Sequence, residues 1–251
     1  MRFTVQSDIG RKRTVNEDRA ILLQRDSATT LAIVADGMGG HNAGDVASTM
    51  AVEGFSEAFL GASQAAFDST ETIREWLQVV VKDVNKRIYN YSLTHEECQG
   101  MGTTIIVAVI QKGFATVCHV GDSRMYIVDS EKIQQITKDH SYVNVLLDSG
   151  EISEEEAASH PQKNYIIKSL GTEATIAPDY YQVGLLPSTY LLICSDGLSN
   201  KLSSAELHSI IMSEQSLDDK GMTLIQVANE YGGEDNITFI LSEQQREGVD
   251  V

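Results

Sequence analysis

The chain has 251 residues, 42% of them hydrophobic, enough for one large domain with a substantial core. It carries 36 acidic residues against 19 basic ones, a net charge of −17, with no Lys/Arg-rich block; nucleic acid and anionic membrane surfaces are therefore not expected partners. Cys98, Cys118 and Cys194 have no paired spacing, and two of them sit inside apolar runs, which favours a reducing compartment over a disulfide framework. The N-terminal stretch shows no signal-peptide core, and no apolar run approaches the roughly 20 residues needed to span a bilayer. The expectation is a cytoplasmic protein without membrane insertion.

Taken in chain order, the first strand-like run is 19–24 (RAILLQ), with Glu17 and Asp18 at its start. The second, 30–35 (TLAIVA), runs into Asp36 and Gly37. Two long helical segments follow. Ala43, Val46, Ala47, Met50, Ala51, Phe55 and Phe59 share one face of the first; Ile73, Trp76, Leu77, Val80, Val81, Val84, Ile88 and Tyr91 share a face of the second. Three further strands read at 103–110, 113–120 and 124–129, with Asp122 in the turn between the last two. Residues 140–172 break the pattern with two short helices and a loop, read as a flap inserted beside a site. A strand at 189–195 leads to Asp196 and Gly197. Helices fit near 204–213 and 218–230, and a final strand reads at 236–241 with Asp235 and Asn236 at its start. Strands are often consecutive, so antiparallel pairing is favoured over parallel crossovers. Only three Pro residues occur and no linker divides the chain, so residues 1–251 read as one domain.

Carboxylates thus recur where strand meets loop. A single Asp-Gly turn means little, because such turns punctuate strands in many folds. Acids at five such junctions together are different. If they converge, they raise one another's pKa values or require a cation. Hard oxygen ligands without a His or Cys cluster suit Mg²⁺ or Mn²⁺ rather than zinc. Gly beside Asp36 and Asp196 allows close approach of backbone and ion.

The runs GRKRTVNEDRA, VADGMGGHNAGDVAS, GMGTT, HVGDSR, CSDGL and GGEDNIT stand in the order and spacing of the metal-dependent serine/threonine protein phosphatases of type 2C. The resemblance extends from about Ser7 to Leu241, and DGMGGH, GMGTT and the segment around Asp139–Ser153 resemble the bacterial branch. It implies an α+β, four-layer α-β-β-α sandwich of two stacked antiparallel sheets with helices outside each. It also implies two core Mn²⁺ or Mg²⁺ ions. Asp36 would bridge them, the Gly37 carbonyl would bind one, and Asp196 and Asp235 would complete the other. Asp18 would act largely through bound waters with Glu17 beside it. Asp122, with Asp196, would hold a weaker third ion, and Asn236 is a candidate to orient a bound water. A hydroxide bridging the metals would attack phosphorus in line, and Arg13 fits the family's phosphate-binding Arg, whose planar fork suits two phosphate oxygens. The expected substrates are phosphoserine and phosphothreonine proteins, the expected partner a cognate Ser/Thr protein kinase, and the expected state a monomer.

Some features compete with this reading. Met38 stands where eukaryotic members carry a His proposed as general acid, so that role is unassigned, and His41 is not assigned it. Cys118 and Arg124 have the Cys, five residues, Arg spacing of cysteine-dependent phosphatases, but Asp122 puts negative charge where phosphate would sit. His95 lacks the second His of a zinc helix. His140 and His160 read as capping or surface residues, and Trp76 as core. A catalytically weak phosphoprotein-binding module would lack a metal acid, and none is missing.

Overall fold

The computed structural model describes residues 1–26, 28–39, 43–111 and 113–244. In chain order these form β1 (Arg2–Asp8), β2 (Asp18–Gln24), β3 (Thr30–Met38), α1 (Ala43–Gly61) and α2 (Thr70–Thr94). Then come β4 (Gly102–Thr103), β5 (Ile105–Gln111), β6 (Phe114–Val120), β7 (Arg124–Val128) and β8 (Ile133–Gln135). Helices α3 (Tyr142–Ser149) and α4 (Glu154–Ser159) precede β9 (Asp179–Gly184) and β10 (Tyr190–Cys194). The chain continues through α5 (Asp196–Ser199), α6 (Ser204–Ile211), α7 (Leu217–Glu230) and β11 (Ile237–Glu243). His41 lies outside the described residues.

Alternate residues of β3 enter two different cores. Leu31, Ile33 and Ala35 face α1 and α2, meeting Phe55, Phe59, Leu77 and Val81. Ala32 and Val34 point the other way, against Met125, Ile193 and Ile240 of a second sheet. Successive strand side chains take opposite faces, so a strand covered on both sides must be apolar throughout. The second sheet repeats the logic: Leu192, Cys194, Phe239 and Leu241 turn outward to α6 and α7, packing with Leu207 and Leu224.

The result is the expected four-layer sandwich. One sheet has the order β1-β11-β10-β7-β8 and the other β2-β3-β5-β6-β9, with β4 pairing beside the end of β3. Every pairing is antiparallel. The strands at 19–24, 30–35 and 124–129 lie where the apolar runs put them. The run at 103–110 is divided between β4 and β5. Strands β1, β8 and β9 carry no strong apolar run, and all three are sheet edges. Helix α2 starts at a Ser69–Thr72 capping box. Trp76 packs with Phe59 and Phe67, the ring centroids of Phe67 and Trp76 lying 5.4 Å apart. All three cysteines are buried thiols. Among the described residues no helix is long and apolar enough to cross a membrane.

Register positions the site. Asp18 at the start of β2 faces Asp36 near the end of β3. Cys194 at the end of β10 faces Arg124 at the start of β7 and Phe239 near the start of β11. The β6–β7 turn, the β10–α5 junction and the β11 start therefore share one end of the sandwich.

Candidate active site

Asp18 and Asp122 are buried, while Glu17, Asp36, Asp196 and Asp235 are partly exposed around them. Antiparallel pairing sets Asp18 directly opposite Asp36, a like-charge arrangement that destabilises a ladder unless something offsets it. Burial pushes Asp18 up to about 7, with the charges of Asp196 and Asp235 adding to the effect. Asp36 is raised well above the usual carboxylate range by burial and then by Asp18, Asp196, Asp122 and Asp235. Asp122 is pushed up to about 8 by burial, then by Asp196 and Asp139. Burial followed by Asp235 takes Asp196 to about 6. Each of these four is raised in part by a neighbouring acid, and Asp36 by all of Asp18, Asp122, Asp196 and Asp235, so the fold brings these sequence-predicted carboxylates within electrostatic reach of one another.

Hydroxyl groups hold this cluster in place. Ser195 Oγ donates to Asp18 Oδ2 at 2.7 Å and accepts from the Thr238 amide at 3.1 Å. The Asp36 amide donates to Thr104 Oγ1 at 3.0 Å, and its carbonyl accepts from Thr103 Oγ1 at 2.9 Å and from the Thr104 amide at 2.8 Å. Thr104 Oγ1 also meets Ser123 Oγ at 2.8 Å, tying β3 to the Asp122 turn. Sequence reasoning missed these supports. They lie within the quoted runs GMGTT, HVGDSR and CSDGL, but Ser and Thr carry no charge pattern that marks them.

Gly37 is dictated by space. A Cβ there would stand 2.0 Å from the Gly44 carbonyl oxygen, so α1 packs onto bare backbone. Glu17 accepts from the Gly44 amide at 3.1 Å through Oε1, and its own amide donates to Asn236 Oδ1 at 2.8 Å. Both amide protons of Asn236 are engaged by the Ile9 and Val15 carbonyls at 2.9 and 3.1 Å. Its side chain therefore ties down the loop that carries Arg13, with no N–H left to direct at a water. Arg13 is exposed, with Nη2 bonded to Asp235 Oδ2 at 2.9 Å and Nη1 3.9 Å from Glu17 Oε2.

The residues fit divalent cations in a particular way. Asp18 Oδ1 and Asp122 Oδ1 are buried with no hydrogen-bond partner among the described residues. An unpartnered buried carboxylate oxygen is costly, and a cation would satisfy it. Among the described residues no three His, Cys, Asp or Glu side chains form a ready-made set around one point. A Mg²⁺-type site needs no such set, since it keeps several waters and takes one or two carboxylates.

Beside the cluster lies a cleft of about 310 Å³, lined by Arg124, Asp139, Asn144, Lys163 and Asn200 among others. Asn200 bonds Asp196 Oδ2 at 2.9 Å, so this cleft between segment 140–172 and α5 abuts the acids. His160 caps the end of α4, whereas His140 is not at the surface: it is buried, held by hydrogen bonds to the β6–β7 turn. Its flanking position in sequence gave no sign of that packing.

Residues 8–241 match the profile of the family described as protein phosphatase 2C. The chain belongs to that family. This type 2C phosphatase is 42% identical to the serine/threonine phosphatase stp of Listeria innocua over 244 residues, 97% of this chain and 96% of that one. It is 40% identical to protein phosphatase PhpP of Streptococcus pneumoniae over 250 residues, covering both chains completely. The solved structure of the S. agalactiae serine/threonine phosphatase superposes with a TM-score of 0.92 at 39% identity, covering 97% of this chain and 99% of that one. The rival cysteine chemistry has no structural basis in this phosphatase. Cys118 is fully buried in β6 with its thiol pushed up to about 12 by burial, and Arg124 is turned to Asp139, Nη2 to Oδ2 at 2.7 Å.

Proposed function

We propose that this protein-serine/threonine phosphatase hydrolyses phosphoserine and phosphothreonine in proteins using Mn²⁺ or Mg²⁺ held by the acid cluster. The observation that carries the reading is the set of mutually repelling acids at one sandwich end, two of them with buried, unpartnered oxygens. Asp36 would lie between two ions, with the Gly37 carbonyl toward the first and Asp196 and Asp235 toward the second. Asp18 would contribute through waters with Glu17 beside it, and Asp122 with Asp196 would hold a weaker third ion. Bound cations of this kind acidify water into a nucleophile near neutral pH and neutralise charge on the phosphoryl oxygens.

The chain's own groups do the rest. Arg13 presents a guanidinium fork at the open side of the cluster, oriented by Asp235 and Glu17, where two phosphoryl oxygens can be bound at once. Thr103 and Thr104 fix the Asp36 backbone and Ser195 fixes the Asp18 carboxylate, so that little reorganisation accompanies substrate binding. The whole chain acts as one catalytic domain, and residues 140–172 form a flap beside the acids that influences which phosphoproteins enter. Its natural setting is the cytoplasm, opposing a Ser/Thr protein kinase. The test is turnover of p-nitrophenyl phosphate with and without Mn²⁺, in the wild type and in Asp36→Asn. Turnover confined to wild type with Mn²⁺ is the expected result; equal rates in all four samples would refute the proposal.

A further inference from the structure

His140, at the root of segment 140–172, clamps the turn that carries Asp122. Its amide donates to the Gly121 carbonyl at 2.7 Å, and the Gly121 amide donates back to His140 Nδ1 at 3.0 Å. The returning bond requires a lone pair on Nδ1, so the ring proton sits on Nε2, which is 3.3 Å from Asp179 Oδ2 at the start of β9 but makes no hydrogen bond among the described residues. The ring stacks on His119 with centroids 4.8 Å apart and planes 18° from parallel. The His140 carbonyl accepts from the Ile167 amide at 2.9 Å, so one residue joins both arms of the segment to the turn.

The opposite side of the turn is closed as well. Gly121 has φ +111°, and a Cβ there would stand 2.5 Å from Thr104 Cβ. Ser123 bonds Thr104 across the same contact. The turn is therefore gripped between Thr104, next to Asp36, and His140, on the flap. Asp122 itself is 7% exposed, and its Oδ1 has no partner among the described residues. Its position is set by the backbone of the turn rather than by bonds of that oxygen.

We propose that His140 is a positioning residue: as acceptor for the Gly121 amide it fixes the Asp122 carboxylate and links its placement to the flap root. This rests on the reading of Asp122 as holder of the weaker cation. His140 touches no reacting atom; it acts through the turn. Such supports typically change metal affinity by about 10–100-fold when removed.

The test is Mn²⁺ calorimetry on the full chain, together with kcat and KM for p-nitrophenyl phosphate across a Mn²⁺ series. His140→Leu keeps bulk but offers no acceptor, whereas Asn Oδ1 in His140→Asn stands where Nδ1 stood. The Leu variant is expected to lose about tenfold or more in weak Mn²⁺ affinity, with tight binding unchanged and kcat falling while KM holds. The Asn variant should recover most of that affinity. Unchanged weak binding in His140→Leu, or a His140→Asn variant as impaired as His140→Leu, would overturn the role. Should the Leu variant not fold, His140→Ala removes the same acceptor without placing apolar bulk beside His119. A comparable loss of weak affinity there supports the proposal, and none overturns it. Asp122→Ala is the control: weak binding intact in that variant would overturn the reading of Asp122 itself, a failure distinct from that of His140.

Discussion

The sandwich and the segment 140–172 adjoin the same cluster of acids but are built differently. From Leu31 to Ala35 every residue of β3 is fully buried, each face against a different core. In segment 140–172, Val145, Tyr165 and Ile167 remain 47%, 60% and 40% exposed. Backbone links at Thr103–Leu170 and His140–Gly121 tie the segment to the sandwich, and a Ser141–Ile166 bridge joins its own two arms. A strand packed on both faces can hold repelling carboxylates in fixed register, because moving one would open a core. A segment linked to the sandwich chiefly near its ends is free of that constraint.

The strongest challenge to this contrast is truncation on each side. Phe239→Ala, in the fully buried layer under α6 and α7, should cost about 3–5 kcal/mol in urea unfolding. Tyr165→Ala should stay within about 0.5 kcal/mol. Comparable losses would erase the distinction between a packed sandwich and a lightly held flap.

Replacing one acid sharpens the same point chemically. Asp36→Asn should lower Mn²⁺-dependent turnover by about a hundredfold or more, since even outer supports of a metal site cost 10–100-fold. The same change removes a charge that burial and four neighbouring acids disfavour, so the metal-free variant should melt higher than wild type at pH 8. A lower melting temperature would show that the acids are not in conflict.

Metal-free stability should also fall as pH rises. Asp196, Asp18 and Asp122 titrate near 6, 7 and 8 in the fold, against about 4 for an unfolded Asp. Between those limits the folded chain binds more protons than the unfolded one. Their contribution is therefore fully present below about pH 4 and is lost as pH climbs through 6–8. Thermal melts in chelator should drop by about 5 °C or more from pH 5.5 to 8, with Mn²⁺ stabilising most at the higher pH. A metal-free melting temperature that climbs over that range would contradict the clustering.

Smaller effects belong to the mouth and the flap. Arg13→Ala should raise KM about tenfold, the worth of a charge-assisted phosphate contact, with a lesser fall in kcat. An unchanged KM would leave Arg13 as an ion-pair partner of Asp235 alone. Exchanging residues 140–172 for a relative's segment should change preference among phosphopeptides while p-nitrophenyl phosphate turnover stays near wild type. Unaltered peptide preference would deny the flap a recognition role.

The apolar runs disclosed the interior strands because double-sided burial demands unbroken hydrophobicity. The edge strands β1, β8 and β9 escaped notice for the complementary reason. In β1, Thr4 is buried while Phe3 and Val5 are exposed, the reverse of the usual alternation: Thr4 pairs with Leu241 on the helix-covered face, and Phe3 and Val5 lie on the opposite face at the edge of the sheet. The apolar run suggests a strand reaching residue 195; the strand stops at Cys194 and Asp196 opens α5.

By itself, the sequence determined which strands are buried on both faces, where acids meet their ends and to which family the ordered motifs point. Those properties are local: residue type at a given spacing, read along one stretch of chain. Only the tertiary structure decided that β2 and β3 set Asp18 against Asp36, that Ser195 and Thr104 brace them, and that Asn236 has both its donors engaged by backbone. It also moved His140 from an apparent surface position into a clamp on Gly121. These are contacts between residues distant in sequence, and a hydroxyl or an imidazole takes its role from the partner that folding puts beside it.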